Sequence, residues 1–401
     1  TRCASKKHTT REPTLELKQA ASEEWVKHYS DHLRAVALAQ ARQNRRAWKE
    51  GNVVKGIRGV LLRGRNRWKI AFAIMSFLVC PSTVGAADIG GKPEKSELSI
   101  AYVSPSAAFT PFYVAADAGF FSKYGLNVKS QLLGPSIGQK ALISGEIDIL
   151  VDGPQLITAN LSGARVKYFG AYMQRYAFQI WGVKGVTTLE DLKGKTVAVS
   201  TPRGAIDSAT REALKKKGLT PEKDVKVAYN AQVPAILTAI LTATVSAGTI
   251  SAPLNLQAKE AGLNFLLDIG SLNVSGLQGA YGATEQFLHS YPDTVFAFSK
   301  AMAEGVALTK KDAAAAKRAI AKFVKVDDPK ILDASYDAYA PYLETNLAVR
   351  DDVIRSELDY LDEKEFPKAR SAKTREFYDN TFIETLDKAG FFASLGLGRQ
   401  K

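Results

Sequence analysis

Two α/β lobes facing each other across a ligand cleft, finished by a run of helices, is the fold class that the sequence predicts. Three observations carry it. From residue 98 onward strand and helix patterns alternate, which calls for a largely parallel sheet covered on both faces. The segments "LISGEIDILVDGP" (142–154) and "LTATVSAGTISAP" (241–253) repeat one plan: the end of a helix, a tight turn, a short strand and a proline, offset by 98 residues at Asp148 and Ser246. After residue 284 strand patterns stop and long helical ones take over. Two similar units in one chain imply a cleft between them.

The beginning of the chain stands apart. Residues 1–70 hold 17 Lys and Arg against 6 Asp and Glu, while the other 331 residues hold 37 against 35. Of the net charge of +13, +11 lies in the first segment, and the folded part lacks the concentrated basic surface that nucleic acid requires. Four cations (Arg63, Arg65, Arg67, Lys69) precede the apolar run 70–80 and the small residues Val84, Gly85 and Ala86. That is the order of a secretory signal, and eleven apolar residues are fewer than the roughly 20 that span a bilayer. The expectation is a signal peptide at 62–86 cleaved after Ala86, preceded by a basic extension, 1–61, that is absent from the mature protein. Lipidation at Cys80 is set aside because Val79 stands where lipoprotein signals carry a small residue.

In the mature part the first elements are a strand at 98–103, a helix from Pro111, a strand at 126–132, a helix at 136–144, a strand at 147–151, a helix from Pro154 and a strand at 166–172. Thr110-Pro111 reads as an N-cap with proline at the first helical position. Thr188 to Asp191 reads as a capping box ahead of Gly194, and "LKGKTVAVST" opens a second round with a strand at 196–200. Downstream of the signal there is no cysteine and one histidine, His289, so no metal, thiolate or cofactor site is expected.

In open α/β sheets ligands bind beyond the carboxyl ends of the strands, where loops run into helices. Those loops supply the candidate site: Ser104, Phe109, Thr110 and Tyr113; Ser136; Asp152 and Gly153; Thr201, Arg203 and Asp207; Asn230 and Gln232; Ser251 and Asn255. Arg203 is a cation in such a loop and can fork onto a carboxylate or sulfonate. Asp152 and Asp207 can accept from an amine, and Phe109, Tyr113 and Tyr229 can flank an organic body. Each also has a plainer reading, because Ser, Thr, Asp, Gly and Pro start helices and aromatics fill cores. Asp148 lies at the far end of its strand and reads as structural.

The segments "AADAGFFSKYGLNV", "ALISGEIDI", "LEDLKGKTVAVSTPRGA", "KKGLTPEKDV" and "FYDNTFIETLDKAGFF" together resemble the periplasmic substrate-binding proteins of nitrate, sulfonate and taurine ABC importers. That family also contains thiamine-pyrimidine precursor binders of the NMT1/THI5-like type. The resemblance implies a type II periplasmic-binding fold: lobe one at 87–178, lobe two at 179–279, and a return to lobe one with C-terminal helices at 280–401. Its two crossing segments are placed near 175–182 and 277–282. It further implies a monomeric, non-enzymatic periplasmic receptor for a small organic acid, sulfonate or heterocycle, with an inner-membrane permease and cytoplasmic ATPase as partners. A sensing subunit for a membrane signalling protein and a pyrimidine-synthase-like enzyme are the alternatives. Relatives carry Gly-x-Val-Asp-Ala in the second lobe where this chain has Ala243 and Ser246, a departure expected to touch turn stability more than ligand choice.

Overall fold

The computed structural model describes residues 89–230 and 233–398; the signal segment, Cys80 and the basic extension lie outside the described residues. Ten strands form two five-stranded sheets among the described residues. They are β1 (Glu97–Tyr102), β2 (Asn127–Leu132), β3 (Ile149–Asp152), β4 (Val166–Arg175), β5 (Gln179–Gly182), β6 (Thr196–Val199), β7 (Lys226–Tyr229), β8 (Ala247–Ile250), β9 (Asn264–Asp268) and β10 (Ser275–Thr284). Lobe one has the order β2-β1-β3-β10-β4 and lobe two the order β7-β6-β8-β5-β9.

In each sheet the first three strands are parallel and the fourth runs antiparallel to both neighbours. These fourth strands are exchanged. β5 follows β4 directly but pairs in lobe two, and β10 follows β9 but pairs in lobe one. The direction has a simple cause. Parallel strands end at the cleft, so a strand that enters a lobe from the cleft must run away from it.

The crossings lie at 176–178 and 269–274. The second falls earlier than the expected 277–282, a stretch that is already inside β10. In that strand Gly276 and Gly279 serve close packing. A Cβ on them would lie 2.1 Å and 2.3 Å from the rings of Tyr176 and Tyr172. The two crossings are bonded side by side: Tyr176 N–H donates to Val274 O at 3.0 Å and Ile269 N–H to Phe178 O at 2.9 Å.

Helices cover both faces of both sheets, as strands buried on each side require. In lobe one, Thr110–Asp117 and Pro292–Lys311 build one core around Phe112, Phe121 and Phe298, and Asp351–Asp359 closes the opposite face with Val353, Ile354 and Leu358. In lobe two, Ala205–Lys216 covers one face and Val233–Leu241 with Leu254–Glu260 the other. The "GFF" segment is architecture: Gly119 sits at φ 74, and the Phe121 ring stacks on Phe298 at 5.4 Å. The capping box at 188–191 forms, Asp191 accepting from both Thr187 and Thr188 N–H at 2.9 Å. The Thr110 cap does not. Thr110 is the first helical residue, its hydroxyl donates to Ala107 O at 2.6 Å, and Ser106 caps the preceding 3-10 turn instead.

Glu357, fully buried, joins the C-terminal helices to the crossings. One of its carboxylate oxygens accepts from Tyr176 Oη–H in the outgoing crossing and from Leu277 N–H, at 2.7 Å, in the returning strand. Burial pushes its carboxyl up to about 7.

The internal repeat is reproduced bond for bond. Glu146 and Ile147 N–H both donate to Ala141 O, and Thr244 and Val245 N–H both donate to Ala239 O. Asp148 N–H then reaches Ser99 O, and Ser246 N–H reaches Thr196 O. Gly145 turns the first copy at φ 77, whereas Ala243 is held at φ 54 in the second. A Cβ in that region costs about 1–2 kcal/mol, partly offset by the extra chain entropy that glycine loses. Ala243→Gly is therefore expected to stabilise the protein by about 0.5–1 kcal/mol in urea unfolding; a loss of stability would contradict the strain.

Candidate functional site

A cavity of about 130 Å³ opens between the lobes at the carboxyl ends of the parallel strands. Lobe one contributes Ser104, Phe109, Asp152 and Gly153, lobe two contributes Thr201 and Ser251, and the crossing region contributes Phe178 and Gln278. Six of the fourteen residues expected from sequence thus share one cavity, and all six sit in strand-to-helix loops or at strand ends.

The others are placed elsewhere. Thr110 and Tyr113 are buried in the lobe-one core, where the Tyr113 ring stacks on Phe323 at 4.7 Å. Ser136 is exposed beside Pro135, which does line the cavity. Arg203 faces Glu365 of lobe one across the cleft mouth, with its guanidinium 5.4 Å from the Phe366 ring centroid. The Arg203 backbone sits at φ 61, held by its N–H donating to Asp207 at 2.8 Å. Asp207 is buried against Arg211 at 2.6 Å, and Tyr229 is exposed with its hydroxyl on the same pair. Asn230 is tied through its N–H to Val199 O. Asn255 bonds Gln179 on a separate groove behind the crossings. Gln232 lies outside the described residues.

Among the described residues lining the cavity, Asp152 is the sole ionisable side chain. It is fully buried at the end of β3, and that desolvation pushes its carboxyl up to about 7 against the pull of the Gly153 N–H, 2.6 Å away. With its carboxamide turned nitrogen-first, Gln155 donates to both Asp152 oxygens at 2.8 and 3.2 Å. Hydroxyls of Ser104, Ser106, Ser200, Thr201 and Ser251 provide donors and acceptors around an otherwise apolar wall. Sequence reasoning missed Gln155, one residue past the "DGP" loop, and Gln278 and Phe178, which stand in the crossing region and not in strand-to-helix loops. Among the described residues no group of His, Cys, Asp and Glu is arranged to hold a metal ion, and no helix is long and apolar enough to cross a membrane. A cavity lined from both lobes by hydroxyls, one carboxyl group and apolar side chains has room for a small solute.

Residues 106–316 match the family model described as NMT1/THI5 like. No curated protein matches the chain in sequence. Among solved structures, the chain is similar to the periplasmic aliphatic sulphonate binding protein SsuA from Escherichia coli, with 21% identity, a TM-score of 0.60, and 72% of this chain and 100% of that one covered. It is similar to the alkanesulfonate-binding protein SsuA from Xanthomonas axonopodis pv. citri bound to MOPS (18%, 0.57, 73% and 98%). It is also similar to the periplasmic nitrate-binding protein NrtA from Synechocystis PCC 6803 (15%, 0.55, 77% and 90%). At these identities the likeness establishes the shared fold.

Asp152 and Glu357 share an unusual direction of pH dependence. Their ordinary values are 3.8 and 4.5, and both rise to about 7 in the folded chain. Between about pH 4.5 and 7 the folded state binds protons that the unfolded chain has released, so stability falls as pH rises through that window and levels off above it. Surface carboxylates that are held low, such as Asp191 at about 2, act only below it. The melting temperature is expected to be higher at pH 5 than at pH 8, with a smaller difference in Glu357→Gln. A flat profile in scanning calorimetry would refute the assignment.

Proposed function

Because the chain belongs to the NMT1/THI5-like family, we propose that it is the solute-binding component of an ABC importer. In this reading it works as a monomer in the periplasm, exported by the segment 62–86, and delivers a small solute to an inner-membrane permease with its ATPase. The observation that carries the proposal is the shared cavity: Asp152 and Gly153 from lobe one and Thr201 and Ser251 from lobe two meet at one volume. A solute touching both walls binds the closed arrangement better than the open one, and that difference is what drives a hinge.

The cavity also bears on the solute. A bare anion would face Asp152 with no lysine or arginine among the described lining residues, since Arg203 is engaged outside with Glu365. A nitrogen-bearing organic solute, neutral or cationic, gives Asp152 a proton donor and places its body against Phe109, Phe178 and Val233.

A thermal-shift screen of the purified protein against amines, carboxamides, heterocycles, carboxylates and sulfonates tests the reading. A solute at 100 times its dissociation constant stabilises by about 2.7 kcal/mol. The expected result is a shift with nitrogen-bearing members that Arg203→Ala leaves intact; the absence of a shift with every member would overturn the receptor role.

A further inference from the structure

Gln278 lines the cavity from β10, the strand that brings the chain back from lobe two. Its carboxamide has one end committed: Oε1 accepts from the Ala177 N–H, in the outgoing crossing, at 2.6 Å. That bond fixes the orientation of the amide. Nε2, the other end, is buried and has no hydrogen-bond partner. Leaving such a donor unpaired is costly, and native interiors seldom carry that cost without a use for the group.

The neighbouring strand offers the opposite chemistry. In the β3–β10 register Ala280 stands opposite Asp152, and β10 is irregular on the Gln278 side of that pair, where Gln278 also reaches the cavity. Both side chains line the same cavity of about 130 Å³, which puts them within reach of one small molecule. Asp152 presents a carboxylate whose Oδ1 accepts from the Gly153 N–H and from Gln155, while Oδ2 takes only the longer Gln155 bond at 3.2 Å and keeps a lone pair for a further donor. Gln278 presents an N–H donor. Apolar groups of Phe109, Phe178 and Val233 complete the wall.

We propose that Gln278 is a specificity-determining residue of the cleft. Its Nε2 donates to an acceptor on the solute while Asp152 accepts from a donor on the same molecule, so the site selects carboxamide-like edges and discriminates against acceptor-only carboxylates and sulfonates. This assignment rests on the solute-binding reading given above. It adds a link to the hinge, because the amide that reads the solute also holds Ala177 of the outgoing crossing.

Benzamide and benzoate test it, since they match in size and shape and differ in the donor. Calorimetric titration of the purified protein at pH 8, where Asp152 is ionised, is expected to show benzamide binding at least tenfold more tightly than benzoate. Gln278→Glu keeps an acceptor for the Ala177 N–H and removes the solute donor; it is expected to weaken benzamide tenfold or more. Gln278→Met, uncharged, does the same and guards against a folding defect in the first variant, with circular dichroism melts reporting the fold of both. Equal affinity for the two probes, no binding of either, or benzamide affinity untouched in both variants would overturn the assignment. Failure of the wider reading looks different, because there no member of the solute screen stabilises the protein at all.

Discussion

A single oxygen of Glu357 accepts hydrogen bonds from Tyr176 in the outgoing crossing and from Leu277 at the start of the returning strand, and the rest of the architecture is arranged around that junction. A chain that passes twice between two sheets must expose backbone groups where neither sheet can pair them, and buried backbone groups left unpaired are costly. Here the crossings satisfy one another through the bonds of Tyr176 to Val274 and of Ile269 to Phe178, and Glu357 ties the pair to the C-terminal helix Asp351–Asp359. The C-terminal helices therefore do more than cover lobe one. They anchor the point about which the lobes are joined.

The strand exchange follows from the same geometry. β4 leaves lobe one at its cleft end and continues as β5 in the fourth place of lobe two; β9 leaves lobe two in the same way and continues as β10 in the fourth place of lobe one. Each lobe is completed by a strand from the other half of the chain. Neither sheet is then independent of the crossings, and residues next to them, Phe178 and Gln278, become walls of the cavity. Cavity wall and joint are built from neighbouring residues of the chain.

Much of this was legible in sequence, for reasons that differ by element. Alternating patterns and glycine stops placed the parallel strands and their helices to within a few residues, because local periodicity determines them. The repeat at 142–154 and 241–253 foretold two matching turns because helix-to-strand chemistry is local too. The second crossing, placed from the family resemblance, fell a few residues late; only the tertiary partners, the Tyr172 and Tyr176 rings lying over Gly276 and Gly279, reveal that stretch as a tightly packed strand. The cavity residues Ser104, Phe109, Asp152, Gly153, Thr201 and Ser251 were within reach of the strand-end rule. Gln278 was not, since it belongs to the antiparallel strand that the rule does not cover.

Arg203 shows most clearly how a residue type can mislead. A lone cation in a strand-to-helix loop invites an anionic ligand, yet a long guanidinium side chain reaches past its own loop. Here it meets Glu365 and the Phe366 ring, groups more than 160 positions away in sequence and invisible to any local reading. Asp207, the other charged residue near that loop, is likewise consumed by Arg211. What remains to face the cavity is Asp152, whose burial leaves it poised between its two charge states near neutral pH. The chemistry of the cleft is thus set by which charges the surrounding loops neutralise and which they leave, and the balance left among the described residues is one carboxyl group, one unpaired carboxamide donor and a ring of hydroxyls.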